Sequence, residues 1–445
     1  MHKFDDSIEQ TKCSSVPFDK NACYIPPKMT EDKESNLYCF SKEIKDVLEE
    51  EAKSLKNSEA YKDTLLKAKK AKAFLNKNDL ECIRSDKTNR LVISESQTLE
   101  SRNQKLLQDK DTYKLLSKSK SESIEKQANK LIKSILPSTE LNREINRLLS
   151  TATQPANFFS FVKDHKITDT EYPVRPIASV KNTPVEKIDW IIARILTNAL
   201  PFVPSHLTNT EQLLDLLKNV KVPAEDNLIF VSLDVEKLYP SIPIELGIEC
   251  NLKFLEDNWQ SLDTFGLSLE QVGKLLKFIC YNYEIQYNDA VFKQVAGVPM
   301  GAHFAPAFAI IFMHNIETSA LEKLNFKPLV FRRFIDDVVL GPVQCEKEVL
   351  DHISETFNSI HPKIKFTMES HEHTEWLPFL DTKIRIQHAK IEYSWHRKPF
   401  HSDIILRKDS FVPHHVKSNF IRNRINNIRS RCSNDNYKEE KVQEF

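Results

Sequence analysis

None of the eight cysteines, at 13, 23, 39, 82, 250, 280, 345 and 432, has a neighbour at CxxC spacing. That argues against a zinc site and a disulfide framework, and for a reducing, intracellular setting. No apolar run approaches the roughly 18 residues of a membrane span. The opening MHKFDDSIEQTKCSS lacks the apolar centre of a signal peptide. An excess of charge is missing too. The 63 Lys and Arg balance 63 Asp and Glu, so any nucleic-acid surface must come from local segregation of charge. There is no internal repeat. Only six glycines occur, and two of them, Gly297 and Gly301, bracket one short segment.

What is present suits a soluble globular protein: 40% hydrophobic and 28% charged residues. A length of 445 residues allows roughly two or three domains. Residues 1–35 are polar and proline-punctuated, and read as irregular. Residues 36–80 read as helical, with lysines 62, 67, 69, 70, 72 and 77 most simply a solvated face. RLVISES (90–96) has a strand pattern, and 97–150 returns to helical periodicity. Residues 156–180 read as short strands. Residues 184–220 read as one or two helices, with Pro201 and Pro204 between them. YEIQYNDAVFKQVAG reads as a hairpin, GAHFAPAFAIIFMHNIETSALEKL as a long buried helix, and PLVFRRFIDDVVLG as a second hairpin. Further strands follow to 397, then a basic helical tail over 413–432.

The richest segment is FVSLDVEKLYPSIP, 230–243. A buried strand, 228–233, runs into Asp234, and Tyr239 follows five positions later. A carboxylate at the end of a strand can hold a divalent ion at a sheet edge. FRRFIDDVVLG brings a second acidic site, Asp336 and Asp337, in a turn between apolar runs. Either alone reads as a turn residue; together they suggest two-metal phosphoryl transfer. In nucleotidyl transfer one ion activates a 3′-hydroxyl and another steadies pyrophosphate. Asp234 and Asp336 are the expected bridging ligands, and Asp337 an auxiliary one. The Tyr239 ring can lie beneath an incoming sugar and clash with a 2′-hydroxyl; the plainer reading is a core aromatic. In QVAGVPMGAHFAP (294–306), Gln294, Gly297 and Gly301 suit close approach of the backbone to a base pair or template, or a tight loop before a buried helix. Lys163, Lys166 and Arg175 precede these, Arg175 held extended by Pro176; a fixed Arg fork suits a triphosphate. Positions 417, 421, 424, 425, 428 and 431 of the tail, with Arg407, Lys408, Arg422 and Arg429 nearby, can follow one helix surface that tracks a duplex backbone.

In this order the segments resemble a reverse transcriptase, and within that group the Penelope-like retroelements, over roughly residues 80–435. VSLDVEKLYPSIP looks like the family's first catalytic segment. GVPMGAHFAPAFAIIFM is similar to its glycine-rich template and primer segment, with Ile310 where Asn is usual. RRFIDDVVL resembles the Tyr-x-Asp-Asp turn, with Phe334 for the Tyr. PVRPIAS and FVKDHK resemble fingers segments that bind the nucleotide, through Arg175, Lys163 and Lys166. DKTNRLVISES is similar to the opening fingers strand, with Thr88 where Gly is usual, next to Lys87. LPFLDTKI and WHRKPFHSD resemble the late palm and the primer grip. Many members carry a C-terminal GIY-YIG endonuclease; this chain stops at Phe445 without one.

The resemblance implies an α+β right-hand polymerase with an antiparallel palm sheet. Residues 1–80 would be a helical, partly disordered extension, 81–225 fingers, 226–395 palm, and 396–445 a basic, helix-turn-helix-like thumb. It implies RNA-directed DNA synthesis with Mg²⁺ or Mn²⁺, an RNA template, a DNA primer or target, and dNTPs. No membrane or protein partner is implied. Asp234, Asp336 and Asp337 would be catalytic. Lys163, Arg175, Tyr239, Gln294, Gly297 and Gly301 would bind nucleotide, and Lys398, Lys417, Arg422 and Arg424 nucleic acid. The chemistry implies a nuclear or cytoplasmic location. Three alternatives stay open: an RNA-dependent RNA polymerase, against which Tyr239 argues; a catalytically inactive, retroelement-derived nucleic-acid-binding protein; and a helix-turn-helix DNA binder built from the tail.

Overall fold

The structure is a computed structural model and describes residues 59–88, 90–168, 173–225, 227–372, 375–398 and 412–445. The irregular stretch expected at 1–35, the first part of the helix expected at 36–80, part of WHRKPFHSD, and Arg407 and Lys408 lie outside the described residues. The chain packs as two compact units. One holds the described part of residues 1–106 with Phe161–Arg175; the other holds Leu107–Ser160 with Pro176–Phe445.

In the first unit a helix, Glu59–Lys77, leads into an antiparallel ribbon of β1 (Leu80–Arg84) and β2 (Leu91–Glu95). The helix lysines are all exposed, the solvated face expected. The small core joins Leu99, Val162 and Val174 with Ile83, Val92 and Leu106.

The second unit is built on three sheets. β3 (Tyr113–Leu116), β4 (Ala156–Val162), β5 (Val174–Ser179), β6 (Leu228–Val235), β7 (Glu284–Tyr287), β8 (Ala290–Gln294), β9 (Val330–Phe334), β10 (Asp337–Gln344), β11 (Phe366–Ser370), β12 (Leu377–Phe379), β13 (Thr382–Gln387) and β14 (Lys390–Trp395) supply the strands. They order as β3-β8-β7-β4-β5, β11-β6-β10-β9 and β12-β13-β14. The chain passes between the two units within β4 and β5. β3 corrects the helical reading of 97–150. Its residues pair with β8, Tyr113 opposite Gln294, and that edge pairing overrides the local helical texture.

The four-stranded sheet is covered on both faces, so β6 and β10 read as near-continuous apolar runs. On one face Leu228, Phe230, Val330 and Val339 join a core with Leu377, Ile384 and Tyr393 and with the helix Thr210–Asn219. On the other, Phe331 stacks on Phe357 at 6.0 Å between centroids, and Phe366 meets the same ring edge-on at 5.3 Å. Val338, Val339 and Leu340 are fully buried, each worth roughly 1.5–3 kcal/mol. The helix Ala305–Lys323 is buried along most of its length, from Ala305 to Met313 except Pro306, and so is apolar all round rather than amphipathic. Pro306 sits in its first turn, where no intrahelical donor is lost. No described helix is long and apolar enough to cross a membrane.

Candidate active site

β6 pairs antiparallel with β10 so that Asp234 stands opposite Asp337, and Phe334 stands opposite Asp337 across the β9–β10 hairpin. Only Ile335 and Asp336 remain for the turn. Val235 N–H donates to the Asp336 carbonyl at 3.3 Å, so the two acidic segments adjoin through the backbone. Directly opposed residues share one face of a sheet. Asp234 therefore shares a face with Asp337, the face that Phe230 and Val339 present to the core further along. Asp234 is exposed, and Asp336 and Asp337 are half-buried. Phe334, in the position of the expected aromatic, packs its ring against that same core.

The turn is strained. Ile335 has φ 57°, while Asp336 is not among the residues with positive φ. A positive φ at the first central residue alone is the type II′ pattern, in which glycine is preferred. A β-branched residue there costs on the order of 1–3 kcal/mol and persists only where its surroundings hold it. What holds it is Arg333, fully buried one residue before Phe334. Its Nη1 donates to the Ile335 carbonyl at 2.9 Å and its Nη2 to the Ile310 carbonyl at 2.9 Å. Its Nε pairs with the Glu317 carboxylate, itself 1% exposed, which also accepts from Ser205 Oγ at 2.6 Å.

The glycine loop lies against the segment after Asp234. Val298 N–H donates to the Tyr239 carbonyl at 2.9 Å. A side chain on Gly297 (φ 68°) would meet Pro240 Cα at 2.4 Å, and one on Gly301 (φ 122°) the Ala178 carbonyl oxygen at 2.2 Å. The backbone these glycines admit is the chain's own, in the segment Tyr239–Pro240 and in β5. Gln294 is buried, and its amide donates to the Ala296 carbonyl at 3.0 Å. It shares a small pocket with Pro240, Val298, Met300, Pro176 and Ala178. Tyr239 is half-buried. The loop's other end is fixed by Asp189, whose buried carboxylate accepts from His303 N, Phe304 N and His303 Nδ1; the Trp190 ring stacks on the His303 ring at 4.5 Å.

Lys163, Lys166 and Arg175 belong to the first unit, with Asp86 and Lys87. Arg175 Nε lies 3.1 Å from Asp86 Oδ1. Burial, followed by the Arg175 charge, pushes the Lys163 ammonium below its usual pKa, with Asp86 opposing. Thr88, where glycine was expected, is buried and bonds to Ser85 and Asp164.

The basic tail is a helix, His414–Ser430, but one face of it is not free. Ile428 is fully buried with Trp395 and Cys432. Arg431 is buried and bound to Asp381 at 2.5 Å and Glu211 at 2.9 Å. Positions 428 and 431 therefore dock the helix end and do not extend a duplex-tracking surface, which corrects that expectation. Lys398 and Arg422 are exposed and Lys417 is half-buried. Arg424 lies 5.2 Å over the Trp395 ring, and burial, then Arg397, lowers its pKa.

Arg333, Glu317 and Asp189 were missed from the sequence. The signal was there for the first two. Strand alternation puts Arg333 on the buried face with Phe331, and a buried guanidinium needs an acid. Glu317 stands inside the apolar helix that covers that face.

Among the described residues no group of three or more His, Cys, Asp or Glu forms a ready metal cage. The carboxylates of Asp234 and Asp337 on paired strands and of Asp336 in the turn nonetheless suit a divalent ion. Mg²⁺ binds through one or two carboxylates and takes its other ligands from water and substrate phosphates.

Residues 163–376 match the model of the family reverse transcriptase (RNA-dependent DNA polymerase). No curated protein sequence matches the chain. Among solved structures it is similar to telomerase from Candida albicans in complex with a TWJ fragment of telomeric RNA. That likeness has a TM-score of 0.52 at 10% identity, over 78% of this chain and 57% of that one. The RNA-dependent RNA polymerase of a human picorbirnavirus overlaps at a TM-score of 0.45 and 12% identity, over 89% of this chain and 80% of that one. This chain thus spans little more than half the length of the telomerase it resembles. The fold is the mixed α+β architecture of right-hand polymerases. The matched residues, 163–376, include both acidic segments, with Asp234, Asp336 and Asp337.

Proposed function

We propose that the chain extends a DNA 3′-hydroxyl on an RNA template as the reverse transcriptase of a Penelope-like retroelement, working in the nucleus. The observation that carries the site assignment is the β6–β10 register, which sets Asp234 opposite Asp337 with Asp336 in the adjoining turn. The subfamily rests on the order of the quoted segments, from DKTNRLVISES to WHRKPFHSD. On this reading residues 81–225 act as fingers, 226–395 as palm and 396–445 as thumb.

Asp234 and Asp336 would hold the divalent ions, Mg²⁺ in the cell, and Asp337 would add negative charge beside them. Ions held there would supply activation of the 3′-hydroxyl and charge stabilisation of the leaving pyrophosphate. Arg175 and Lys163 bind the triphosphate. Asp86 lies beside the Arg175 fork until the phosphates arrive, and a bound anion would oppose the downward pKa shift that burial gives the Lys163 ammonium. The Tyr239 ring supports the sugar, its backbone pinned by Val298. Gln294, Gly297 and Gly301 act indirectly: the glycines seat the loop on Tyr239–Pro240 and β5, and Gln294 holds its start. Lys398, Lys417, Arg422 and Arg424 contact the nucleic-acid backbone.

Primer extension on an RNA template with Mg²⁺ tests the reading. dNTP incorporation supports it. NTP incorporation points instead to RNA synthesis, and binding without synthesis to an inactive nucleic-acid-binding protein. Tyr239→Ala is expected to raise ribonucleotide use about 10- to 100-fold relative to deoxyribonucleotide, by removing a steric exclusion. An unchanged preference in single-nucleotide incorporation would remove Tyr239 from the sugar gate.

A further inference from the structure

We propose that Arg333 is a positioning residue that locks the peptide unit between Ile335 and Asp336, and so sets the direction of the Asp336 carboxylate. The inference rests on Asp336 being a metal ligand.

The argument begins with the turn. Types II′ and I′ share the positive φ of their first central residue and differ by a flip of the central peptide. In this hairpin that peptide is Ile335–Asp336. Its flip would carry Asp336 to positive φ and so redirect its side chain. The carbonyl side of that peptide, Ile335 O, is tied to the protein interior: it accepts from Arg333 Nη1 at 2.9 Å. The guanidinium making that bond cannot turn. Nε and Nη2 face Glu317, Nη2 also reaches the Ile310 carbonyl at 2.9 Å, and Ser205 Oγ fixes Glu317 from behind at 2.6 Å. The Arg333 backbone is pinned as well: its N–H donates to the Ser205 carbonyl at 2.7 Å, and its carbonyl accepts from Leu207 N–H at 2.8 Å. Both side chains are essentially inaccessible, at 0% and 1% exposure.

Two simpler roles fit less well. Arg333 is not the charge partner of the acids at the turn, because Glu317 already neutralises it. A pair kept only for folding would need no fourth donor aimed at the turn. Planar, multiply directed donation is what distinguishes Arg from Lys, and this Arg spends one donor on the one strained peptide beside the candidate ligand.

The experiment compares Arg333→Lys and the charge-free double variant Arg333→Met/Glu317→Leu with the unaltered chain. Lys keeps the charge balance but lacks the planar fork that directs donors to Glu317, the Ile310 carbonyl and the Ile335 carbonyl at once. The double variant removes both charges and leaves no uncompensated one. Melting and primer–template binding identify folded protein. Mn²⁺ affinity is read by electron paramagnetic resonance in a complex with a dideoxy-terminated primer and the next dNTP. In both variants we expect about tenfold weaker Mn²⁺ binding. The kcat for incorporation should fall about 10- to 100-fold, with the dNTP KM unchanged. Wild-type Mn²⁺ affinity and kcat in either folded variant would overturn the proposal, and so would failure of both to fold, which would make the pair a folding element. The polymerase reading fails separately, if the unaltered chain incorporates no nucleotide; the Mn²⁺ comparison stands in either case.

Discussion

Asp336→Asn is expected to reduce dNTP incorporation by at least about 10³-fold while leaving folding and primer–template binding intact. The carboxylate sits half-buried in a two-residue turn, and the only backbone bond it makes to β6 runs through its carbonyl, which the substitution keeps. An amide of nearly equal shape preserves the hairpin and removes one negative charge from the place where divalent ions would be held. Asp234→Asn should behave alike. Asp337→Asn should lose less, because Asp337 is assigned as an auxiliary acid beside the two ligands rather than as a ligand. Single-turnover incorporation separates the three. Equal losses at all three positions would mean that Asp337 is also a direct ligand.

Gly301→Ala is expected to destabilise the second unit by about 3–5 kcal/mol, the sum of an overpacked contact and an unfavourable backbone. The added carbon would stand 2.2 Å from the Ala178 carbonyl oxygen at φ 122°. The neighbour is backbone, and it is engaged: Ala178 N–H donates to the Met300 carbonyl at 2.7 Å. Gly273→Ala is the matched control. Gly273 lies inside the helix Leu269–Tyr281, and its added carbon would meet nothing nearer than a Leu252 methyl at 3.4 Å. That substitution should be neutral or stabilise by up to about 1 kcal/mol. Urea unfolding of the two variants gives the comparison, and equal midpoints would mean that the loop does not seat on β5 as described.

These two sites show what could be read from the chain and what could not. The strand that ends at Asp234 and the hairpin that carries Asp336 between β9 and β10 were legible because their signals are local: apolar strands that end on acids, within a few residues. The two helices at Glu186–Ala199 and Thr210–Asn219 were legible for the same reason, separated where Pro201 and Pro204 fall. The role of the glycines was half-legible. That they allow a close approach follows from residue type, but the approaching backbone, Ala178, lies over a hundred residues away. β3 was misread because an edge strand takes its conformation from its partner β8. In the tail, Arg431 looks like every other basic residue until Asp381 and Glu211 are brought to it. Arg333 was obscured by its neighbour: of two successive arginines, strand alternation buries one and leaves Arg332 half-exposed.

Fe²⁺-directed cleavage tests the central claim most directly, that two strand-borne acidic sites form one ion-binding centre. With Fe²⁺ in place of Mg²⁺, ascorbate and peroxide cut the backbone beside the bound ion. Cuts next to Asp234 and next to Asp336 should appear together, be suppressed together by excess Mg²⁺, and vanish together in Asp336→Asn. Cleavage at one segment without the other, or at both in the Asp336→Asn variant, would contradict the account.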